Sequence, residues 1–321
     1  MVIKIGAIII AVLGSWQAFA QADASQPEGR ADQSGLAAAK SLLERGMPAD
    51  AEREARQYLA FHNNSAKGHF LLGYILFRET KARESLAEYT EGAQYERPSA
   101  ADLSVVGADY VLLSDYGDAD KWFTKATEWA PDNVLDWYYL GRTKYNENRF
   151  EEAVSAFEHC LRLDGKNVRA EDNLGLSLQA LGRGAEAREA FLKAIDWQAG
   201  ASTKDPWPYI DIGSFLLEGN EPEKAAVYLR QGLAIAPDTS KAHQQLGKAY
   251  LAMQEPGKAE KELQEAVRLE PDNARSHYVL GQLYAKEGQG EKAKREFARY
   301  SELNSAHPER DTREYHAPGS N

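Results

Sequence analysis

Along most of this chain, apolar side chains recur at three- and four-residue steps, the spacing of one buried face on an α-helix. Leu246 and Tyr250 form one such stripe, Leu263 and Val267 the next. Breakers separate the stripes: Glu255-Pro256-Gly257 here, Gly219-Asn220-Glu221-Pro222 and Gly288-Gln289-Gly290 elsewhere. The stripes are short, come in pairs, and the pairs repeat. Gly247 recurs as Gly281, Tyr250 as Tyr284 and Ala259 as Ala293, each 34 residues on. Gly213 precedes Gly247 at the same step, and Gly141, Gly107 and Gly73 form a second series. A fixed period of this length predicts a stack of two-helix units, since one pair cannot bury its own apolar face. β-branched runs are scarce, so the predicted class is all-α.

Small residues mark where the antiparallel helices of a unit approach, and Gly247 is expected to face Ala259. Proline in the first turn of a helix costs little, because its missing N–H had no partner there. Pro131, Pro237 and Pro271, each followed by Asp, close one unit and open the next.

The repeated residues resemble the tetratricopeptide repeat (TPR) family. Val134 to Asn167 carries the fullest copy, with Trp137, Leu140, Gly141, Ala153 and Phe157, and Phe150-Glu151-Glu152-Ala153 opens its second helix. Residues 100–133 add Gly107, Tyr110, Ala119, Phe123, Ala126 and Pro131; residues 240–273 add Leu246, Gly247, Tyr250, Ala259, Ala266 and Pro271. The resemblance implies a right-handed α-solenoid, a superhelix of about eight tandem helix-turn-helix repeats. In phase, these are residues 32–65, 66–99, 100–133, 134–167, 168–201, 206–239, 240–273 and 274–307. The first copy is degenerate, with Gly35 and Ala39 at positions of larger residues, as suits an end repeat that meets water. Ser202-Thr203-Lys204-Asp205 is a four-residue insertion ahead of Pro206-Trp207-Pro208, and is read as a local irregularity or hinge.

Outside the array, residues 1–20 read as a secretory signal peptide. Lys4 precedes an apolar run, and Ala18-Phe19-Ala20 offers a cleavage site after Ala20. As a membrane anchor the 16 residues from Ile5 to Ala20 would span roughly 24 Å at ~1.5 Å each, short of the ~30 Å hydrocarbon core. Cleavage is therefore expected to leave no stable membrane insertion, and the mature chain to be periplasmic or secreted. Residues 21–31 read as a flexible leader and 308–321 as a disordered tail. No solvating helix follows Asn304, so Phe297, Tyr300 and Leu303 are expected to leave an apolar end open to self-association.

Formal net charge is −11, which argues against general nucleic-acid binding. Residues 240–307 run against this balance and are slightly basic. One cysteine, Cys160, excludes an intramolecular disulfide framework. It stands where other copies carry Ala126, Ala194 or Ala266, and is read as a buried structural thiol. No enzyme motif is present, so neither catalysis nor a cofactor is expected. His69, His243 and His277 share the repeat position of Trp137. Equivalent positions lie on the order of 10 Å or more apart, given helix diameters, too far for joint ligands at ~2 Å. They are read as packing rings, with no metal site. Asp115, Asp118 and Asp120 are read as helix-start acids.

In arrays of this family, first-helix residues facing away from the second helix line the concave surface. The resemblance makes them the expected ligand positions. In this chain they form an aromatic zone of Phe70 and Tyr74, with Phe77 one turn on. A mixed zone follows, with Leu135, Tyr138, Arg142, Arg169, Asp172, Asn173 and Trp207. The last zone is basic and amide-rich: Lys241, Gln244, Lys248, Arg275, Tyr278 and Gln282. Aromatic anchors with cations suit an extended peptide. Some TPR cochaperones grip a C-terminal carboxylate across three repeats; Trp207 and Asp211 stand where basic residues belong, so that function is not carried over. The expected function is a non-enzymatic scaffold of the cell envelope, binding peptide segments or partner proteins. The alternative is a carbohydrate-handling module of polysaccharide secretion that uses the same aromatics.

Overall fold

A single backbone device closes every helix pair. The computed structural model describes residues 32–306, and among them sixteen α-helices follow one another with no strand. These are α1 (Asp32–Glu44), α2 (Pro48–Phe61), α3 (Ala66–Arg78), α4 (Ala82–Gly92), α5 (Ala100–Leu112), α6 (Tyr116–Trp129), α7 (Val134–Asn146) and α8 (Phe150–Leu163). Then come α9 (Val168–Ala180), α10 (Gly184–Trp197), α11 (Trp207–Glu218), α12 (Pro222–Ile235), α13 (Ser240–Ala252), α14 (Pro256–Leu269), α15 (Ala274–Lys286) and α16 (Gly290–Ala306). The expected signal segment, leader and tail lie outside the described residues.

Between the two helices of each pair, one residue adopts a left-handed backbone. These residues are Gly46, Thr80, Ser114, Asn148, Gly182, Asn220, Gln254 and Gly288, with φ from 57° to 75°. All stand at the same place in the repeat. The next amide then donates to a carbonyl five residues back, as Lys81 N does to Leu76 O at 2.9 Å and Glu255 N to Tyr250 O at 2.8 Å. That bond ends the first helix and aims the chain into the second. Glycine adopts this conformation freely, whereas Thr80 with its branched Cβ is strained by it.

Inside a pair, a glycine receives a large side chain 16 residues on. A Cβ added to Gly73 would lie 2.9 Å from Tyr89, to Gly107 3.1 Å from Phe123, and to Gly175 2.7 Å from Phe191. On Gly213 it would meet Leu229 at 2.6 Å, on Gly247 Leu263 at 2.6 Å, and on Gly281 Phe297 at 2.8 Å. The expected close approach of Gly247 to Ala259 is seen, with the Ala259 carbonyl 3.5 Å from the added Cβ, and the side chain that fills the gap is Leu263. Two small residues face to face would leave a void, while a large one set into glycine's gap brings the helices together and buries apolar area.

Residues up to 156 form one compact unit and those from 157 a second, with the division falling inside α8. In the first unit α1 packs on α2, α3 on α4 and α5 on α6; in the second, α9 on α10, α11 on α12, α13 on α14 and α15 on α16. Within each unit first helices also touch first helices: α1–α3–α5–α7 and α9–α11–α13–α15. Among the described residues second helices make no comparable contact with one another, so the first helices form the inner row of each unit. The insertion ahead of α11 is irregular but tied. Gln198, 4% exposed, donates to Asp205 O at 3.0 Å and accepts from Asp205 N at 2.6 Å. At the C-terminal end Phe297 and Tyr300 are half-buried, both against Tyr278.

The histidines read as packing rings do more than pack. His69 sets Nδ1 2.7 Å from Glu88 Oε2 and Nε2 2.9 Å from Asn63 O. His243 repeats this with Glu262 (2.7 Å) and Pro237 O (2.8 Å), and His277 with Glu296 (2.6 Å) and Pro271 O (3.0 Å). Trp137 Nε1 gives the same backbone bond, to Pro131 O at 2.8 Å. Each clamp ties the loop before a first helix to the second helix of its pair. For His243, burial opposes the charged ring, but the bonds from Glu262 and Pro237 outweigh it and raise the pKa.

Replacing Thr80 with glycine is expected to raise stability by about 0.5–1 kcal/mol, because relief of strain exceeds the added chain entropy; the urea midpoint measures it. A raised imidazole pKa stabilises the fold fully below the ordinary value near 6.5 and is lost as pH rises through the folded value. The stability difference between wild type and His243→Phe is therefore expected to be largest below the ordinary imidazole value and to shrink as pH rises through the higher folded value, which melting curves at several pH values measure.

Candidate partner-binding face

The first helices place their framework residues inward, toward the second helix, and leave the neighbouring positions to the open face. In the first unit, that face offers less than its sequence indicated. Phe70 is half-buried, with its ring 5.8 Å from that of Tyr89 and its edge in the space beside Gly92. Tyr74 leans on Phe77, centroids 6.4 Å apart, and accepts from Arg78 Nη1 at 3.5 Å. Tyr138 is 7% exposed, packed edge-on against Tyr139 at 5.3 Å and covered by Arg142 at 5.9 Å. As a contact residue Tyr138 is therefore corrected to a buried one. Leu135, beside it in sequence, is 57% exposed.

The second unit carries more charge and more structure. Lys241 Nζ lies 2.9 Å from Asp211 Oδ1 and 5.1 Å above the Trp207 ring. Arg169 Nε reaches Asp205 Oδ2 at 3.3 Å, and Asp205 Oδ1 accepts the Trp207 amide at 3.0 Å. Asn173 donates to the carbonyl of Arg169 on its own helix at 2.8 Å. Gln244, 4% exposed, donates to Ser276 Oγ at 2.8 Å; it stitches α13 to α15 and is likewise corrected from contact residue to internal bond. Trp207 and Lys248 are half-exposed, while Arg275, Tyr278 and Gln282 are exposed on α15. The row thus brings together Trp207 and Lys241 at one end, and α15 exposes Arg275, Tyr278 and Gln282 at the other.

Buried acids are the feature that the sequence concealed. Asp109, Asp136, Asp172 and Asp211 are each at most 4% exposed. Neither carboxyl oxygen of Asp109 or Asp136 has a partner, because the neighbouring Ser85 and Ser104 hydroxyls donate to Gly73 O and Ala100 O instead. Burial pushes Asp109 up to about 8 and raises Asp136. Asp172 is held well above the carboxylate range, first by burial and then by the charges of Asp211 and Asp205. A sequence signal existed: Asp109 in Gly107-Ala108-Asp109-Tyr110-Val111 and Asp211 in Tyr209-Ile210-Asp211-Ile212 stand inside apolar runs. The other flagged groups are structural. Asp115 caps α6 through the Asp118 amide at 3.1 Å, and Asp120 binds Lys144 at 2.7 Å. Cys160 is fully buried, and that burial pushes its thiol up to about 12.

Paired helices closed by a common turn, with one row of first helices presenting the variable side chains, define a helical-hairpin repeat protein of the interaction-scaffold type. Residues 134–167, 172–200, 216–277 and 256–310 match descriptions of the tetratricopeptide repeat, and the chain belongs to that family. Peroxisomal targeting signal receptors are similar over part of their length. That of Kluyveromyces lactis is 34% identical over 90 residues, 28% of this chain, and that of Candida albicans 40% over 96, 30% of this chain. In both, the match spans 16% of the receptor. Among solved structures, a tetratricopeptide repeat protein from Parabacteroides merdae superposes with TM-score 0.66 at 17% identity, covering 79% of this chain and 99% of that one. The Cut9–Hcn1 hetero-tetramer gives 0.63 at 17% identity, covering 86% and 54%. These likenesses show the fold.

An acid whose pKa rises on folding must take up a proton, so stability falls as pH climbs from its unfolded value near 3.8 toward 8. Asp109→Asn is expected to stabilise the chain at pH 7.5 by about 1–3 kcal/mol and to flatten its stability between pH 5 and 8. Urea unfolding at several pH values measures both.

Proposed function

We propose that the chain is a non-enzymatic scaffold exported to the cell envelope, where the first-helix row of its second unit holds an extended segment of a partner protein. The observation that carries the reading is the placement of Trp207, Lys248, Arg275, Tyr278 and Gln282. Arg275, Tyr278 and Gln282 are exposed and Trp207 and Lys248 partly exposed on neighbouring first helices, while the framework residues between them are buried. Rigid aromatics and oriented cations on a helical scaffold suit a peptide chain. Relatives named as targeting-signal receptors support the use of such repeats in binding segments of other proteins. Export rests on the charge, apolar run and small-residue exit of residues 1–20.

The sugar-binding reading draws less support. Stacking a sugar ring needs an open aromatic face, and Lys241 covers one face of Trp207 while Phe70 lies against Tyr89. Self-association through the last repeat is also less favoured, since Phe297 and Tyr300 are already engaged by Tyr278.

Immobilised mature chain is expected to retain a defined protein from envelope extracts, and a Trp207→Ala, Lys248→Ala, Tyr278→Ala triple variant to retain at least tenfold less. Equal retention by a variant with wild-type circular dichroism would remove the reading. Export predicts a mature protein beginning at Gln21, read by N-terminal sequencing.

A further inference from the structure

The first helices do not all begin in the same way. Ser65 caps α3 and Asn273 caps α15, each side chain accepting an amide of the first turn, as Asn133 and Asn167 do for α7 and α9. Thr239 makes no such bond to α13, because its hydroxyl donates to Ala236 O at 3.0 Å. Side chains of the first turn hold the start of α13 instead. Ser240 Oγ donates to Ala266 O at 3.1 Å, Lys241 Nζ binds Asp211 at 2.9 Å, and His243 makes its clamp. Both atoms that face the His243 ring are acceptors, a Glu262 carboxylate oxygen at 2.7 Å and the Pro237 carbonyl oxygen at 2.8 Å. A neutral imidazole has a single N–H and satisfies only one of them. Two contacts this short require a proton on each nitrogen, or one kept on Glu262. Either way, the pair holds one proton more than a neutral ring beside a carboxylate.

We propose that this clamp is a pH-operated latch on the first turn of α13, closed while the pair keeps its extra proton and open once that proton is lost. At α3 and α15, which carry the same clamp, a cap holds the helix start whatever the ring does. At α7, Trp137 makes the carbonyl bond with an indole N–H that does not titrate. Burial disfavours the charged His243 ring, but the bonds to Glu262 and Pro237 O outweigh it and raise its pKa above 6.5. The latch is therefore closed below that value and opens as pH rises through the folded one. Around the ring, α14 supplies Glu262 and Glu265, which favour the charged form, and Glu265 is itself held by Arg268 at 2.6 Å. Asp238, in the loop before α13, bears on Arg268. On the other helices packed against α13, Asp211 of α11 holds Lys241, and Arg230 of α12 donates to Ala226 O of its own helix at 3.2 Å. Arg275 of α15 bears on Lys248. Opening the latch loosens the turn that carries Lys241, whose ammonium lies 5.1 Å above the Trp207 ring. The pH thus sets how firmly that ring is covered, whatever the face binds.

Pulsed hydrogen exchange of the purified chain between about pH 5 and about pH 9, read by NMR, tests the latch. The amides to follow are those of Ala242 and His243, which donate to Thr239 O at 3.0 and 3.2 Å. Dividing by the unstructured rate at each pH removes ordinary base catalysis. Protection there is expected to fall about tenfold across the range, and less than about twofold at the His69 and His277 amides of α3 and α15. His243→Trp, which supplies the indole that α7 uses at this position, is expected to keep the protection and abolish its pH dependence. Glu262→Gln is expected to do the same, because an amide N–H donates to a neutral ring nitrogen. This second variant decides the outcome should the tryptophan variant fail to fold. An even fall at all three helix starts, no fall at α13, or a fall that persists in a folded variant would overturn the latch. None of these results touches the scaffold reading, whose test scores retained partner and not exchange.

Discussion

Everything in this fold hangs on how closely the two helices of a pair can approach. The approach is set by a glycine and a large side chain 16 residues later, seen at Gly73–Tyr89, Gly175–Phe191 and Gly247–Leu263. A methyl group on the glycine would sit at 2.6–2.9 Å from side-chain carbon at these three sites, closer than any real contact. Because the ring or leucine lies in that gap, the rest of the second helix is held at a fixed distance and rotation. The next first helix then finds the same surface to pack on. The left-handed turn residue fixes the other variable, the direction in which the second helix leaves.

That regularity tolerates expensive exceptions. Asp109 and Asp136 are buried with no partner for either carboxyl oxygen, and Asp172 lies against a second acid. An unsatisfied buried group of this kind costs on the order of 1–3 kcal/mol. The first unit makes no visible use of Asp109. In the second unit the acids have a consequence. Asp211 takes Lys241 and Asp205 takes Arg169, so two cations of the inner row are held by acids of the same unit.

The candidate face was only partly legible from the chain. Spacing alone places Arg275, Tyr278 and Gln282 on one side of α15, and the structure leaves all three exposed. The same rule applied to Tyr138 and Gln244 gave the wrong exposure. A repeat position fixes the direction of a side chain, whereas burial depends on what the neighbouring helix puts opposite it: Tyr139 and Arg142 in one case, Ser276 in the other. The histidine clamps show the same limit. A shared position marked His69, His243 and His277 as equivalent, but their carboxylate partners lie 19 residues on and were not visible as partners until the helices were paired.

The chain by itself determined the class, the family and the repeat phase, because glycine, large apolar residues and breakers recur at a fixed step and each has a local steric reason to be there. Those constraints act within one helix pair and can be read along the sequence. Tertiary structure decided which large residue fills each glycine gap, which turn residue bears strain, and which charges are cancelled across helices. These outcomes are set by distances between residues tens of positions apart. Lys241 and Lys248 look alike on paper, but one meets Asp211, 30 residues back, while burial, more than any neighbouring charge, lowers the pKa of the other.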